Sequence, residues 1–129
     1  MTIPPARAYA RTDRPDGEEA LPSVGEVLSL AALQAGRPEV LAEPAALDAR
    51  VRWVHVADSP GVARLLDGGE LLLSTGSAWP DDPALLTVFV DELVDAGLSC
   101  LVLELGTRWA ETPAALADAA RARGLALIV

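Results

Sequence analysis

Asp58, Ser74, Thr75, Gly76, Glu104 and Gly106 all stand at or just past the C-terminal ends of apolar runs of strand length. A set of carboxylates, hydroxyls and loop amides suits hydrogen bonding to a small polar molecule better than it suits bond cleavage. Asp58 precedes Ser59-Pro60. Two roles are open for it: capping the helix that follows, or accepting N–H bonds from a nitrogen-rich ligand. Trp79 and Trp109 sit in matching loops and also have two readings. They are hydrophobic lids beneath their helices, or they flank a crevice at the strand ends, where open α/β sheets tend to bind ligands.

Other reactive types are too isolated to support catalysis. His55 is the sole histidine; strand alternation puts it on one face with Val51, Trp53 and Ala57, where it reads as a hydrogen-bonded structural residue rather than a ligand contact. Without a second His or Cys, no metal site is expected. Cys100 stands alone in LSCLVLEL and reads as a small buried core residue. Gly68-Gly69 before Glu70 permits the backbone angles of a tight turn, and it lacks the Lys and Ser/Thr spacing of a phosphate loop. No Ser/His/acid or Cys/His set is supported, so neither enzymatic activity nor a cofactor is expected.

The elements that must position these residues follow one punctuation scheme. Ser59-Pro60, Asp82-Pro83 and Thr112-Pro113 each open a helix, and Gly68, Gly97 and Gly124 close them. Strand-length runs lie between: 51–57, 70–74, 98–105 and 125–129, with 39–42 as a further edge strand. Strands alternating with helices predict βαβ crossovers and a mainly parallel sheet of four to five strands with helices on its faces. The continuous apolar runs predict burial on both sides. Upstream, Ser23 and Glu26 form a capping box for a helix with an apolar stripe at Val24, Val27, Leu28, Ala31 and Leu33, stopped by Gly36 and Pro38. Residues 76–83 (GSAWPDDP) and 106–113 (GTRWAETP) repeat one strand-loop-helix unit at an offset of 30 residues.

The bulk properties bound the function classes. A chain of 129 residues with 51% hydrophobic residues supports one α/β domain, expected over 23–129, behind a flexible arm over 1–22. The formal net charge of −9 opposes nucleic-acid binding, and no basic stripe offsets it locally. No apolar run reaches the roughly 18 residues of a membrane span, and no signal-peptide pattern opens the chain. A cytoplasmic location is expected. The last residues, Ile128-Val129, belong to a strand pattern, which points to a domain of a longer protein.

Val51-x-Trp53-Val54-His55, then Asp58, then Leu66-x-Gly68-Gly69-Glu70-Leu71-x-Leu73-Ser74-Thr75-Gly76 resembles the N-terminal domain of the purine-catabolism-regulator (PucR-like) family of bacterial transcriptional regulators. The resemblance spans roughly 23–129 and takes in the VGEVLSL helix and the ALDARVRWVHV approach. Two positions depart from the family pattern: Asp58, where Glu is usual, and Gly61, where Asp is frequent. The resemblance implies a signal-input domain whose DNA-binding helix-turn-helix lies outside this chain. It also implies a small nitrogenous effector, purine-like or another catabolite, and a homodimer. The alternative is a dimerisation or interaction module of the same regulator without a ligand.

Overall fold

A computed structural model describes residues 21–59 and 61–129. The arm expected over 1–22 therefore lies outside the described residues apart from its last two positions, as does Pro60. The carbonyls of Leu21 and Pro22 accept hydrogen bonds from the Arg50 guanidinium and the Val51 amide, at 2.9 and 2.8 Å.

Four strands form one parallel sheet in the order β1-β2-β3-β4: β1 (Trp53–Val56), β2 (Glu70–Ser74), β3 (Cys100–Leu103) and β4 (Ala126–Ile128). The single α/β domain read from the sequence is thus the observed architecture. Residues 39–41 add the expected edge contact, as a short antiparallel bridge to β4 rather than a full strand. Glu39 and Val129 exchange bonds at 2.7 and 2.9 Å, and the Leu41 amide donates to Leu127 at 2.7 Å.

Alternation sorts the strand side chains onto two faces. Leu72, Leu101, Leu103 and Leu127 pack with Leu86, Phe89, Val90 and Leu93 of α3 (Pro83–Asp95) and Leu116 and Ala120 of α4 (Ala114–Ala122). Leu71, Cys100, Val102, Ala126 and Ile128 pack with Val24 and Leu28 of α1 (Val24–Leu28), and with Leu33 of α2 (Ala31–Gln34) and Leu47 in a 3-10 turn (Pro44–Asp48). Burial on both faces explains why β2, β3 and β4 read as continuous apolar runs. β1 does not share it: Trp53, Val54 and Val56 are exposed, because the helices cover only the sheet's other strands. The strand order never reverses, so the sheet lacks the switch point at which open α/β folds part their loops.

The punctuation signals hold unevenly. The capping box forms as expected: Ser23 Oγ accepts from the Glu26 amide and the Glu26 carboxylate from the Ser23 amide. The helix it opens is shorter than the stripe suggested, because the Ser29 hydroxyl bonds back to the Glu26 carbonyl at 2.6 Å and Leu30 turns extended before α2. Asp82 caps α3 through the Ala84 amide at 2.8 Å. Thr112 does not cap α4, which starts without any side-chain cap. The helix expected from Ser59 to Gly68 is only a 3-10 turn (Val62–Leu65). Its continuation is blocked because the Glu70 carboxylate draws the Asp67 and Gly68 amides into a turn, at 2.7 and 2.9 Å.

Candidate functional site

Five of the sequence-predicted polar and aromatic positions converge on the C-terminal end of β2, together with Trp109 from the β3–α4 loop. Asp58 Oδ1 accepts from the Ser74 hydroxyl and the Thr75 amide, both at 2.8 Å, and Ser74 Oγ accepts from the Gly76 amide at 3.0 Å. Asp58 thus closes the end of β2. It does not cap the following turn, where Ser59 Oγ takes the Gly61 amide instead, at 3.2 Å. The Ser74 hydroxyl, then the Thr75 amide, hold the Asp58 carboxyl below the usual carboxylate range.

Gly76 is the pivot of this knot. Its φ is +72°, and a Cβ there would stand 2.7 Å from Trp109 Nε1 and 3.1 Å from Trp79 Cε3. Its carbonyl accepts from Trp109 Nε1 at 3.1 Å and from Arg108 at 3.3 Å. Arg108 lies 4.0 Å from the centroid of the Trp109 ring and pairs with Asp81. Trp79 is 3% exposed and packs against Phe89, 5.2 Å between ring centroids. The two tryptophans therefore meet across Gly76: Trp79 as a core residue and Trp109 as a half-buried lid. Arg108 and Asp81 were not singled out by sequence reasoning. The signal was the Arg at position 108, where the other repeat unit has Ala78. Thr75 Oγ1 and Trp79 Nε1 are buried here without a hydrogen-bond partner among the described residues.

The motif residues at the opposite end of β1 and β2 serve the fold. Burial pushes the Glu70 carboxyl up. The Asp67 amide, the Trp53 indole at 3.3 Å and the Gly68 amide outweigh that and hold it below the ordinary value. Gly68 and Gly69 take φ of +105° and +84°, and Gly97 approaches so closely that its Cβ would stand 2.9 Å from Gly68 Cα. His55 is half-buried on β1, and its ring makes no hydrogen bond among the described residues, contrary to the structural role expected for it. Cys100 is fully buried, and burial pushes its thiol up to about 12. No three His, Cys, Asp or Glu cluster as a metal site among the described residues.

The concave feature of the sheet's C-terminal end lies on the opposite face from Trp79. A cavity of about 460 Å³ has a floor of Leu73, Val102 and Ile128, one each from β2, β3 and β4, and a wall from Leu33, Gly36 and Pro38. Arg37, Glu39 and Glu104 stand at its rim. Of the site residues read from the sequence, only Glu104 lines it. Gly106, in the exposed loop beyond, bonds the Trp109 carbonyl through its amide at 2.9 Å. Arg37 holds a φ of +54°, left-handed backbone that a non-glycine residue seldom adopts. The cavity and the knot touch: the Glu104 amide donates to the Ser74 carbonyl at 2.9 Å. Arg37 and Glu39 gave no sequence signal, because the segment that folds them over the sheet is irregular.

Comparison with known proteins agrees with the motif. A family model, the purine catabolism regulatory protein-like family, matches residues 26–129, and the chain belongs to that family. No curated protein and no solved structure matches the chain.

Proposed function

We propose that this member of the purine catabolism regulatory protein-like family is a non-enzymatic signal-input domain of a cytoplasmic transcriptional regulator. In this reading its cavity binds a small nitrogenous catabolite, while DNA is contacted by another part of the regulator. The observation that carries the proposal is the cavity of about 460 Å³, which falls in the size range of small-molecule sites. Its floor is apolar and suits a flat ring. Its rim offers donors from Arg37 and acceptors from Glu39 and Glu104, which suits a heterocycle or ureide carrying both. The net charge of −9 supports placing DNA contact elsewhere.

A thermal-shift screen of the chain against purines, ureides, amino acids and polyamines tests this. A ligand at 100 times its Kd stabilises the folded state by about 2.7 kcal/mol, which a melting curve resolves easily. Arg37→Ala and Glu104→Ala should both abolish the shift produced by the hit and leave the unliganded melting point within a degree or so. A screen in which no compound raises the melting point refutes the sensor reading and leaves an interaction module. A hit whose shift survives both substitutions refutes the cavity as its site, and Asp58→Asn and Thr75→Val would then be tested.

A further inference from the structure

We propose that the ligand of the cavity is a zwitterion with an apolar body, an amino acid of the leucine or phenylalanine kind. Its ammonium is held by Glu39 and Glu104, and its carboxylate by Arg37. This rests on the reading of the cavity as an effector site and narrows the class of effector. The rim carries two carboxylates and one guanidinium, and Arg37 forms no ion pair with either acid among the described residues. A neutral ligand would cover these charges and offer none in return, and burying an uncompensated charge is costly. A cationic ligand would leave the guanidinium unanswered, and an anionic one would leave both carboxylates so. A ligand bearing both signs answers all three, through charge-assisted hydrogen bonds about twice as strong as neutral ones.

The floor selects the rest of the molecule. Leu73, Val102 and Ile128 come from three adjacent strands, which at a spacing of about 4.8 Å make an apolar strip about 10 Å wide. A branched aliphatic or phenyl side chain matches that strip and would be held by apolar burial alone. The three charged residues stand on fixed backbone. Glu39 and Val129 exchange backbone hydrogen bonds at 2.7 and 2.9 Å, and the Glu104 amide bonds the Ser74 carbonyl at 2.9 Å. Arg37 lies between Gly36 and Pro38 with a φ of +54°, a conformation in which glycine would be less strained. Strained backbone persists where its surroundings over-determine it, and it concentrates at ligand sites. An arginine kept where glycine fits better is explained by what its side chain binds.

Melting curves test the assignment, with each compound titrated to about 3 mM. The panel is leucine, phenylalanine, glycine, the deaminated analogue 4-methylpentanoate, the decarboxylated analogue isopentylamine, allantoin and hypoxanthine. Leucine or phenylalanine should raise the melting point, and glycine, which lacks the apolar body, should not. Each analogue has lost one charge and should bind at least about tenfold more weakly than leucine. Glu39→Gln combined with Glu104→Gln keeps the shape of the rim and should weaken the amino acid by at least about tenfold. Arg37→Gly should abolish the amino-acid shift and leave the unliganded melting point unchanged or higher, because it relieves the left-handed backbone. An amino-acid shift that survives Arg37→Gly overturns the proposal, and so does an analogue that binds as well as leucine. A marked fall in the unliganded melting point of Arg37→Gly also overturns it, since Arg37 would then serve the fold. A shift with allantoin or hypoxanthine and none with the amino acids overturns this assignment and leaves the effector cavity standing. No shift with any compound overturns both.

Discussion

Glu70 shows what a single side chain does in this fold. Among the described residues it is one of two buried polar side chains, and its two oxygens take three donors: Asp67, Gly68 and Trp53. Glu70→Gln replaces one acceptor oxygen with an NH2 facing those donors. It should cost about 2 kcal/mol in a urea titration, the scale of a hydrogen bond to a charged group. Because the carboxyls of Glu70 and Asp58 are both held below their ordinary values, the folded chain binds fewer protons than the unfolded chain in mildly acid solution. Their contribution is complete above the unfolded carboxylate range, near about 4. It is lost as pH falls through that range toward the lower folded values. The urea midpoint should therefore be flat, from these two groups, between neutrality and about pH 6 and should drop below it. Glu70→Gln should make the acid limb shallower. The sequence marked both residues, Asp58 as a cap or ligand and Glu70 as a turn opener. Neither carboxylate's partner was legible, because Ser74 lies 16 positions from Asp58 and Trp53 lies 17 from Glu70.

Among the elements, local signals were reliable where the chain within a few residues decides the outcome. The Asp82 cap and the left-handed Gly97 and Gly124, with φ of +89° and +69°, follow from short-range geometry. Thr112-Pro113 carries the same pattern, a capping-type residue before proline, without a cap, which separates the two helices experimentally. Asp82→Ala should cost about 1 kcal/mol, while Thr112→Ala should cost under about 0.5 kcal/mol. Chemical denaturation of the two variants side by side checks this. Gly97→Ala should be worse than either, because it combines strained backbone with a collision against Gly68 at 2.9 Å. A folded variant within about 0.5 kcal/mol of the parent would show that the two turns can separate.

For the whole molecule, stability should be graded across the sheet. β2 and β3 are buried on both faces and paired on both edges, whereas β1 is exposed and paired on one. Amide exchange should therefore be slowest in β3 and its neighbours and fastest in β1. A bound effector should slow exchange around residues 34–39 and 102–105. Equal protection in all four strands would contradict this gradient.

Taken alone, the sequence determined the α/β class, the approximate strand positions, the capping box, the Asp82 and glycine punctuation and the family. Each of these is written in contiguous residues: periodicity, caps and a motif need only neighbours in the chain. Tertiary structure alone decided that β1 is an exposed edge, that the strand order never reverses, and that Trp79 and Trp109 close on Gly76. It also decided that the cavity opens on the α1/α2 face, with Arg37, Glu39 and Glu104 on one rim. Those outcomes depend on which surfaces are buried against each other by segments dozens of residues apart. A one-dimensional pattern of apolar and polar residues does not specify that pairing.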